Sequence, residues 1–135
     1  MRSRLAVVVA LAASLSACGG VPTAKPTSEP TTSALKGALP NVDGGRVVPD
    51  ALREFTCSRD DDGRWTASGA VVNSGTKATT FQVTAHVGPA DGQGATARTQ
   101  RIAAIQPKGS VRFDLGELQG TSDGPCHVRV VALAS

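Results

Sequence analysis

Hydrophobic and polar residues alternate along most of the chain after residue 51, and clusters of glycine, proline and aspartate interrupt the alternation. A period of two is typical of strands that bury one face, and turn signals roughly every 8–12 residues are typical of a β-sandwich or barrel. No window repeats near 3.6 residues, so we predict no long helix. We therefore expect an all-β domain over residues 50–135. Its six strands are Leu52–Ser58, Arg64–Val72, Thr79–Gly88, Ala95–Ile105, Ser110–Leu118 and Cys126–Ala134.

The first 17 residues have the pattern of a signal peptide. Arg2 and Arg4 precede an apolar run from Leu5 to Leu15, which is well short of the ~20 residues that span a bilayer. The residues that follow, Leu15-Ser16-Ala17-Cys18, resemble the lipobox of bacterial lipoproteins. The resemblance implies that the Cys18 thiol receives a diacylglyceryl group and that cleavage occurs before Cys18.

A lipidated Cys18 would hold the protein on the extracytoplasmic side of the cell membrane. Two acyl chains give durable attachment, because each buried CH₂ contributes about 0.8 kcal/mol. The alternative is an ordinary secreted protein with a chance cysteine at its cleavage site, and a retained transmembrane anchor is less favoured still.

The segment 18–49 lacks an apolar repeat and contains five prolines among threonine, serine and glycine. Such a composition buries too little apolar surface to offset its ordering entropy, so we expect a flexible tether. O-glycosylation of its hydroxyl residues is an alternative to a bare spacer. One extra edge strand is an option near Val42, Val47 and Val48.

Lipidation of Cys18 would leave Cys57 and Cys126 as an even pair in an oxidising compartment. Both fall on the inward parity of their strands, the first and the last of the domain. We expect a disulfide between them, because the entropy of closing a loop of about 70 residues would contribute roughly 4.4 kcal/mol to a small domain. The alternative is two buried free thiols.

Charge and aromatic content exclude some functions. Without Arg2 and Arg4 the chain has 12 basic and 11 acidic residues, and these are scattered, so no basic stripe for nucleic acid is present. Phe55, Trp65, Phe81 and Phe113 all fall on inward parity. We therefore expect no exposed ring for stacking on a sugar or a nucleobase.

Two short motifs in the domain resemble the immunoglobulin-like modules of bacterial cell-surface proteins, of the FxLYD and CARDB kind. Gly69, Val71, Asn73 and Gly75 match a "G-x-V-x-N-x-G" strand and turn. Pro107, Gly109 and Phe113 match a "P-x-G" turn before a Phe-bearing strand. The resemblance covers about 70 residues and implies an immunoglobulin-like antiparallel β-sandwich of six to seven strands, in modules that are mostly non-catalytic.

No residue pattern indicates catalysis, a metal or a cofactor. Ser74 and Lys77 have Ser-x-x-Lys spacing but fall in a turn, whereas the serine enzymes that use this spacing place it on a helix. His86 and His127 fall on outward parity, so we expect them to be solvated. Adjacent Cys126 and His127 point to opposite faces of a strand. The carboxylates of residues 60–62 converge poorly for Ca²⁺.

We therefore expect a lipid-anchored, non-catalytic protein that presents a small β-sandwich to another protein of the cell envelope. The expected contact surfaces are edge strands and the loops 88–94 and 116–125. The alternative is a carrier of a small ligand or lipid, which needs a cavity of about 300 Å³ or more.

Overall fold

The computed structural model describes residues 29–35, 37–39, 41–120 and 123–134, and these form an all-β structure. The predicted signal peptide and lipobox lie outside the described residues. All six predicted strands are present, with ends within two residues of those expected. The strands are β1 (Thr31–Ala34), β2 (Gly45–Val47), β3 (Leu52–Arg59), β4 (Trp65–Val72), β5 (Thr79–Val87), β6 (Thr96–Ile105), β7 (Ser110–Leu118) and β8 (Cys126–Leu133), and a 3₁₀ turn, Pro49–Ala51, precedes β3.

The strands form two antiparallel sheets, which confirms the predicted β-sandwich. The five-stranded sheet has the order β1-β6-β5-β8-β2, and the three-stranded sheet has the order β3-β4-β7. The connection from β4 to β5 passes from one sheet to the other. Residues 73–78 are therefore an inter-sheet connection and not the turn of a hairpin.

The core lies between the sheets and follows from the alternation in the sequence. Val83 and Ala85 of β5 and Val71 and Leu115 of the other sheet are completely buried. Phe81 and Phe113 belong to the buried core, and the two remaining aromatic residues, Phe55 and Trp65, pack against it. The expectation that all four aromatic side chains serve the core is confirmed.

Two edge strands lie inside the segment predicted to be a flexible tether. Residues of β1 pair with β6 from Thr31↔Thr99 to Ala34↔Thr96, and β2 pairs with β8 through Val47↔Val131. The sandwich therefore begins before residue 50. The sequence did not reveal β1, because its residues are all exposed and it pairs through its backbone without burying an apolar face.

The chain between β1 and β2 crosses the outer face of the five-stranded sheet, because β1 and β2 form its opposite edges. We call this segment, residues 35–44, the strap; within it residues 36 and 40 lie outside the described residues. Four strand spacings amount to about 19 Å, which ten residues of extended chain can span. The strap is fixed by Arg129, whose guanidinium donates to the Leu39 carbonyl and to Asn41 Oδ1.

The end of the sandwich away from the β5–β6 loop is organised by Asn73, which is 3% exposed. Its Nδ2 donates to the carbonyl oxygens of Lys77 (2.7 Å) and Ile105 (2.8 Å), and its Oδ1 accepts from Gly75 N (3.0 Å). Its backbone exchanges two further hydrogen bonds with Lys108 and Gly109. The "N-x-G" motif is therefore a structural junction between the two sheets.

Candidate functional site

Three connections meet at one end of the sandwich, which we call the loop end. They are the β3–β4 turn (residues 60–64), the β5–β6 loop (residues 88–95) and the β7–β8 connection (residues 119–125). Residues 121 and 122 of the last lie outside the described residues. The two loops that the sequence analysis selected as contact surfaces therefore lie at the same end of the fold.

A disulfide and two polar contacts hold these connections together. Cys57 of β3 and Cys126 of β8 form the predicted disulfide, which joins the two sheets with a Cα–Cα distance of 6.4 Å. Gly88 N donates to the Pro125 carbonyl (3.0 Å). Arg59 Nη1 contacts Asp123 Oδ1 at 2.7 Å, although this exposed ion pair contributes little to stability.

A cleft of about 450 Å³ lies between the β5–β6 loop and the β7–β8 connection. Its lining is mostly small or uncharged and includes Gly88, Pro89, Gln93, Gln119 and Gly120. The side chains of Gln93 and Gln119 are exposed at its rim. Backbone groups, the two amides and the Thr96 hydroxyl can donate and accept hydrogen bonds there.

In the acidic β3–β4 turn at the same end, Arg64 forms hydrogen bonds and ion pairs with two of the carboxylates. Asp60 Oδ1 accepts from the backbone N–H of Arg64 (2.8 Å), and the Arg64 guanidinium contacts Asp60 (3.1 Å) and Asp62 (2.8 Å). The backbone hydrogen bond from Arg64 is the largest cause that lowers the pKa of Asp60 below its usual value. These carboxylates therefore stabilise the turn at neutral pH.

The strap braces the β5–β6 loop from the outer face of the sheet. Leu35 N donates to the Ala95 carbonyl (2.8 Å). Gly92 has a φ of +69° and lies so close to Gly37 that a Cβ at residue 92 would overlap the Gly37 carbonyl oxygen. Only glycine fits this contact, because it combines a positive φ with a close backbone approach.

We predict that Gly92→Ala separates the loop from the strap, whereas Gly94→Ala does not. Gly94 has nearly the same φ, +71°, but a Cβ there would meet nothing within 4 Å. Both variants incur the strain of a positive φ, roughly 1 kcal/mol, and only Gly92→Ala adds the clash. Hydrogen exchange of strap amides should rise at least about tenfold for Gly92→Ala alone. Equal exchange in the two variants would contradict the brace.

The prediction that His86 and His127 are solvated is wrong for His86, which is 1% exposed. Both histidines do lie on the face opposite the core, as their parity indicated, and they are direct cross-strand partners. Their rings stack with a centroid distance of 4.8 Å and an interplanar angle of 22°. The strap crosses the same face at Arg129, and no pattern in the sequence indicated that segment.

The remaining candidate residues are not brought together into a reactive group. Ser74 and Lys77 lie in the inter-sheet connection, where the Ser74 carbonyl accepts from Lys108 Nζ (3.1 Å). Within the described residues no three His, Cys, Asp or Glu side chains form a group that could hold a metal ion. The same part of the chain contains no helix that is long and apolar enough to cross a membrane.

A further cavity of about 870 Å³ runs beside β7 and is lined mostly by polar and charged residues, with Pro30, Gly69 and Phe113 among them. Glu54 and Arg112 form an ion pair of 2.7 Å there, and Glu29, Asp114 and Gln100 also line it. A lipid chain or an apolar ligand gains little from such a lining, because burying charged groups beside it costs free energy.

Fold and site together define a small two-sheet β-sandwich with a disulfide-held loop end and a strap across its outer face. Comparison of the chain with known protein families, with curated proteins and with solved structures finds no match.

Proposed function

We propose that this protein is a membrane-anchored, non-catalytic lipoprotein whose loop end binds another protein of the cell envelope. The observation that carries the proposal is the convergence of the β5–β6 loop and the β7–β8 connection on one cleft. A disulfide and a strap hold these loops in place, and a pre-ordered surface loses less entropy on binding than a mobile one.

The direction in which the chain enters the sandwich supports an orientation in which the loop end faces away from the membrane. β1 pairs antiparallel with β6, and β6 leaves the loop end, so β1 runs towards it. Glu29 and Pro30, the described residues that precede β1, therefore enter it from the side away from the loop end. An anchor at Cys18 would leave the loops facing away from the lipid.

The distance from the membrane is also bounded. Eleven residue steps separate Cys18 from Glu29, the first described residue, and an extended chain covers at most about 3.6 Å per step. The sandwich would therefore stay within roughly 40 Å of its lipid, which favours a partner in or close to the same membrane over one far out in the envelope.

The resemblance to immunoglobulin-like surface modules supports a non-catalytic role, because those modules are mostly non-catalytic. The alternative, a carrier of a small ligand or lipid, is less favoured. The cleft at the loop end is lined by glycine, proline and glutamine, and the cavity beside β7 contains an ion pair, so neither offers the largely apolar lining of a ligand pocket.

The experiment that tests the proposal is chemical crosslinking in cells that express the tagged full chain, followed by mass spectrometry of the membrane fraction. Arginine placed at the cleft rim, Gln93→Arg with Gln119→Arg, should reduce recovery of the crosslinked partner at least about tenfold, because both added charges must be desolvated when a partner covers the cleft. Ser68→Arg, on the exposed face of the three-stranded sheet, is the matched control and should leave recovery unchanged.

A Cys18→Ala variant tests the anchor in the same experiment. We expect it to leave the membrane fraction and to lose the partner, since a chain without acyl groups has no lipid to hold it. Recovery of the same partner from the rim variants, or of no partner by a folded and membrane-bound wild-type protein, would refute the proposed function.

A further inference from the structure

The fold collects basic residues at the end of the sandwich opposite the loop end. We call this surface the basic end, and it comprises β2, residues 49–53, the inter-sheet connection 73–78 and the β6–β7 turn 106–109. It contains four basic residues and one acidic residue, all exposed: Arg46, Arg53, Lys77, Lys108 and Asp50. These residues are scattered in the sequence, and only the fold reveals that they share one surface.

The two lysines of the basic end belong to the Asn73 junction. Lys108 N donates to the Asn73 carbonyl oxygen (2.8 Å), and Asn73 Nδ2 donates to the Lys77 carbonyl oxygen (2.7 Å). Lys108 Nζ also donates to the Ser74 carbonyl oxygen (3.1 Å). The inter-sheet connection and the β6–β7 turn are therefore joined, and each carries one exposed lysine.

The two arginines lie beside this junction. Arg46 lines a cleft of about 280 Å³ together with Ser74 and Gly75 of the inter-sheet connection. Arg53 Nη1 donates to the carbonyl oxygen of Asp50, so the Arg53 guanidinium turns back towards the 3₁₀ turn. All four cations are therefore found at the same end of the sandwich.

The charge of this surface is not neutralised within the described part of the chain. The ion pairs there involve Arg59, Arg64 and Arg112, and none involves a cation of the basic end. The carbonyl partners of Arg53 and Lys108 accept hydrogen bonds but carry no net charge. Even with Asp43, the exposed strap residue just before β2, basic residues outnumber acidic ones at this end.

The loop end has the opposite charge. Its described connections contain five acidic residues and one basic residue: Asp60, Asp61, Asp62, Asp91, Asp123 and Arg64. The sandwich is therefore electrically polarised from one end to the other. A negatively charged surface attracts the basic end and repels the loop end, and both effects favour the same orientation.

We propose that the basic end is a docking surface for anionic lipid headgroups, and that docking directs the loop end away from the membrane. Each Lys or Arg near an anionic membrane strengthens binding roughly fivefold. Glu29 and Pro30 enter β1 from the side of the basic end, so the chain approaches the sandwich at the docking surface. The charge polarity belongs to the fold alone, whereas its use to orient an anchored protein rests on the proposed function.

The test is photocrosslinking of the full chain in phosphatidylcholine vesicles with about 30 mol% phosphatidylglycerol, compared with phosphatidylcholine alone. Both vesicles carry a trace of lipid with a photoreactive headgroup, and mass spectrometry locates the crosslinks. In anionic vesicles, peptides of the basic end should carry at least about tenfold more crosslinked lipid than peptides of the loop end. This preference should disappear in neutral vesicles, and also in about 1 M salt, where the Debye length is about 3 Å.

Substitution of the two lysines tests the named surface. Lys77→Gln with Lys108→Gln should reduce the preference for the basic end at least about tenfold, because two cations are lost. If this variant has a lower urea midpoint than the wild-type protein, Arg46→Gln is the second variant. It leaves the Asn73 junction intact and should reduce the preference roughly fivefold.

A matched control removes the same charge from the opposite end. Arg59→Gln with Arg64→Gln also deletes two cations, but at or beside the β3–β4 turn, and should preserve the preference for the basic end. Soluble glycerol phosphate, at the phosphate concentration of the vesicles, should not compete, because docking depends on the potential of a charged surface. Competition by this soluble headgroup would indicate a free-anion site and overturn the docking surface.

Three further results would overturn the proposal: equal crosslinking of the two ends in anionic vesicles, crosslinking of neither end, or an undiminished preference in the lysine variant. The vesicle experiment needs no partner, so it decides the docking surface separately from the crosslinking in cells. A preference for the basic end, together with unchanged partner recovery in the rim variants, would support the docking surface and refute the loop end as a binding surface.

Discussion

Replacing Cys57 and Cys126 together by alanine should lower the free energy of unfolding by roughly 4 kcal/mol. The disulfide closes a loop with a sequence separation of 69 residues, and the loss of this constraint enlarges the conformational entropy of the unfolded chain. With a urea m-value of about 1.5 kcal/mol/M, the unfolding midpoint should fall by nearly 3 M. Such a loss is a large part of the 5–15 kcal/mol of a typical domain.

The third cysteine provides the matched control for this experiment. Cys18→Ala removes a cysteine that the disulfide does not use, so the urea midpoint should stay within experimental error of the wild-type value. Reduction of the wild-type protein should reproduce the shift seen in the double alanine variant. An unchanged midpoint after either treatment would show that the disulfide does not contribute to stability.

Asn73→Ala should produce the second large effect, a loss of about 3 kcal/mol. Three side-chain hydrogen bonds disappear, and the carbonyl oxygen of Ile105 remains in a buried place without this donor. Each lost bond costs about 1 kcal/mol, and a stranded buried group costs more. For a domain of this size the midpoint of thermal unfolding should fall by roughly 12–24 °C.

Ser74→Ala tests whether the effect belongs to the Asn73 amide. Ser74 is the exposed neighbour of Asn73, and a surface substitution of this kind usually changes stability by less than about 0.5 kcal/mol. Asn73→Asp keeps the size of the side chain but turns an oxygen towards two carbonyl oxygens, so it should destabilise at least as much as alanine. A stable aspartate variant would contradict the role assigned to the amide donor.

The strands were predictable because burial of one face imposes alternation. β7 shows it plainly, with Val111, Phe113 and Leu115 buried and Arg112 and Asp114 exposed between them. The disulfide was predictable for the same reason, since Cys57 and Cys126 fall on inward parity at adjoining ends of their strands. Predicting the strands requires only the period of two in the hydrophobic pattern, and predicting the disulfide requires in addition only the number of cysteines.

The strap and its consequences could not be predicted in this way. The pairing of β1 with β6 relies on backbone hydrogen bonds, which leave no hydrophobic signature. In β6 the polar residues obscure the alternation instead. Arg98 and Gln100 pair with Ala85 and Val83 and therefore lie on the inner face, where the pattern predicts apolar residues. His86 was assigned to the correct face, yet its burial also involves the β5–β6 loop, whose Pro89 carbonyl oxygen lies 3.0 Å from His86 Nε2.

The loop end itself was predictable only in part. Its residues are turn formers, and sequence patterns place turns well but do not reveal which turns share an end of the fold. The contact of Gly92 with Gly37 joins residues far apart in the chain. A glycine in a loop does not reveal such a contact in the sequence, since many loop glycines are required only by the backbone conformation of their own turn.

The direction of β1 has a mechanical consequence for an anchored protein. If the lipid holds the chain at one end and a partner pulls at the loop end, tension acts along the axis of β1. Its four register pairs with β6 are then loaded together in shear and do not open one after another like a zipper. Under such a load β1 would be the first element to yield, while the disulfide keeps the loop end intact.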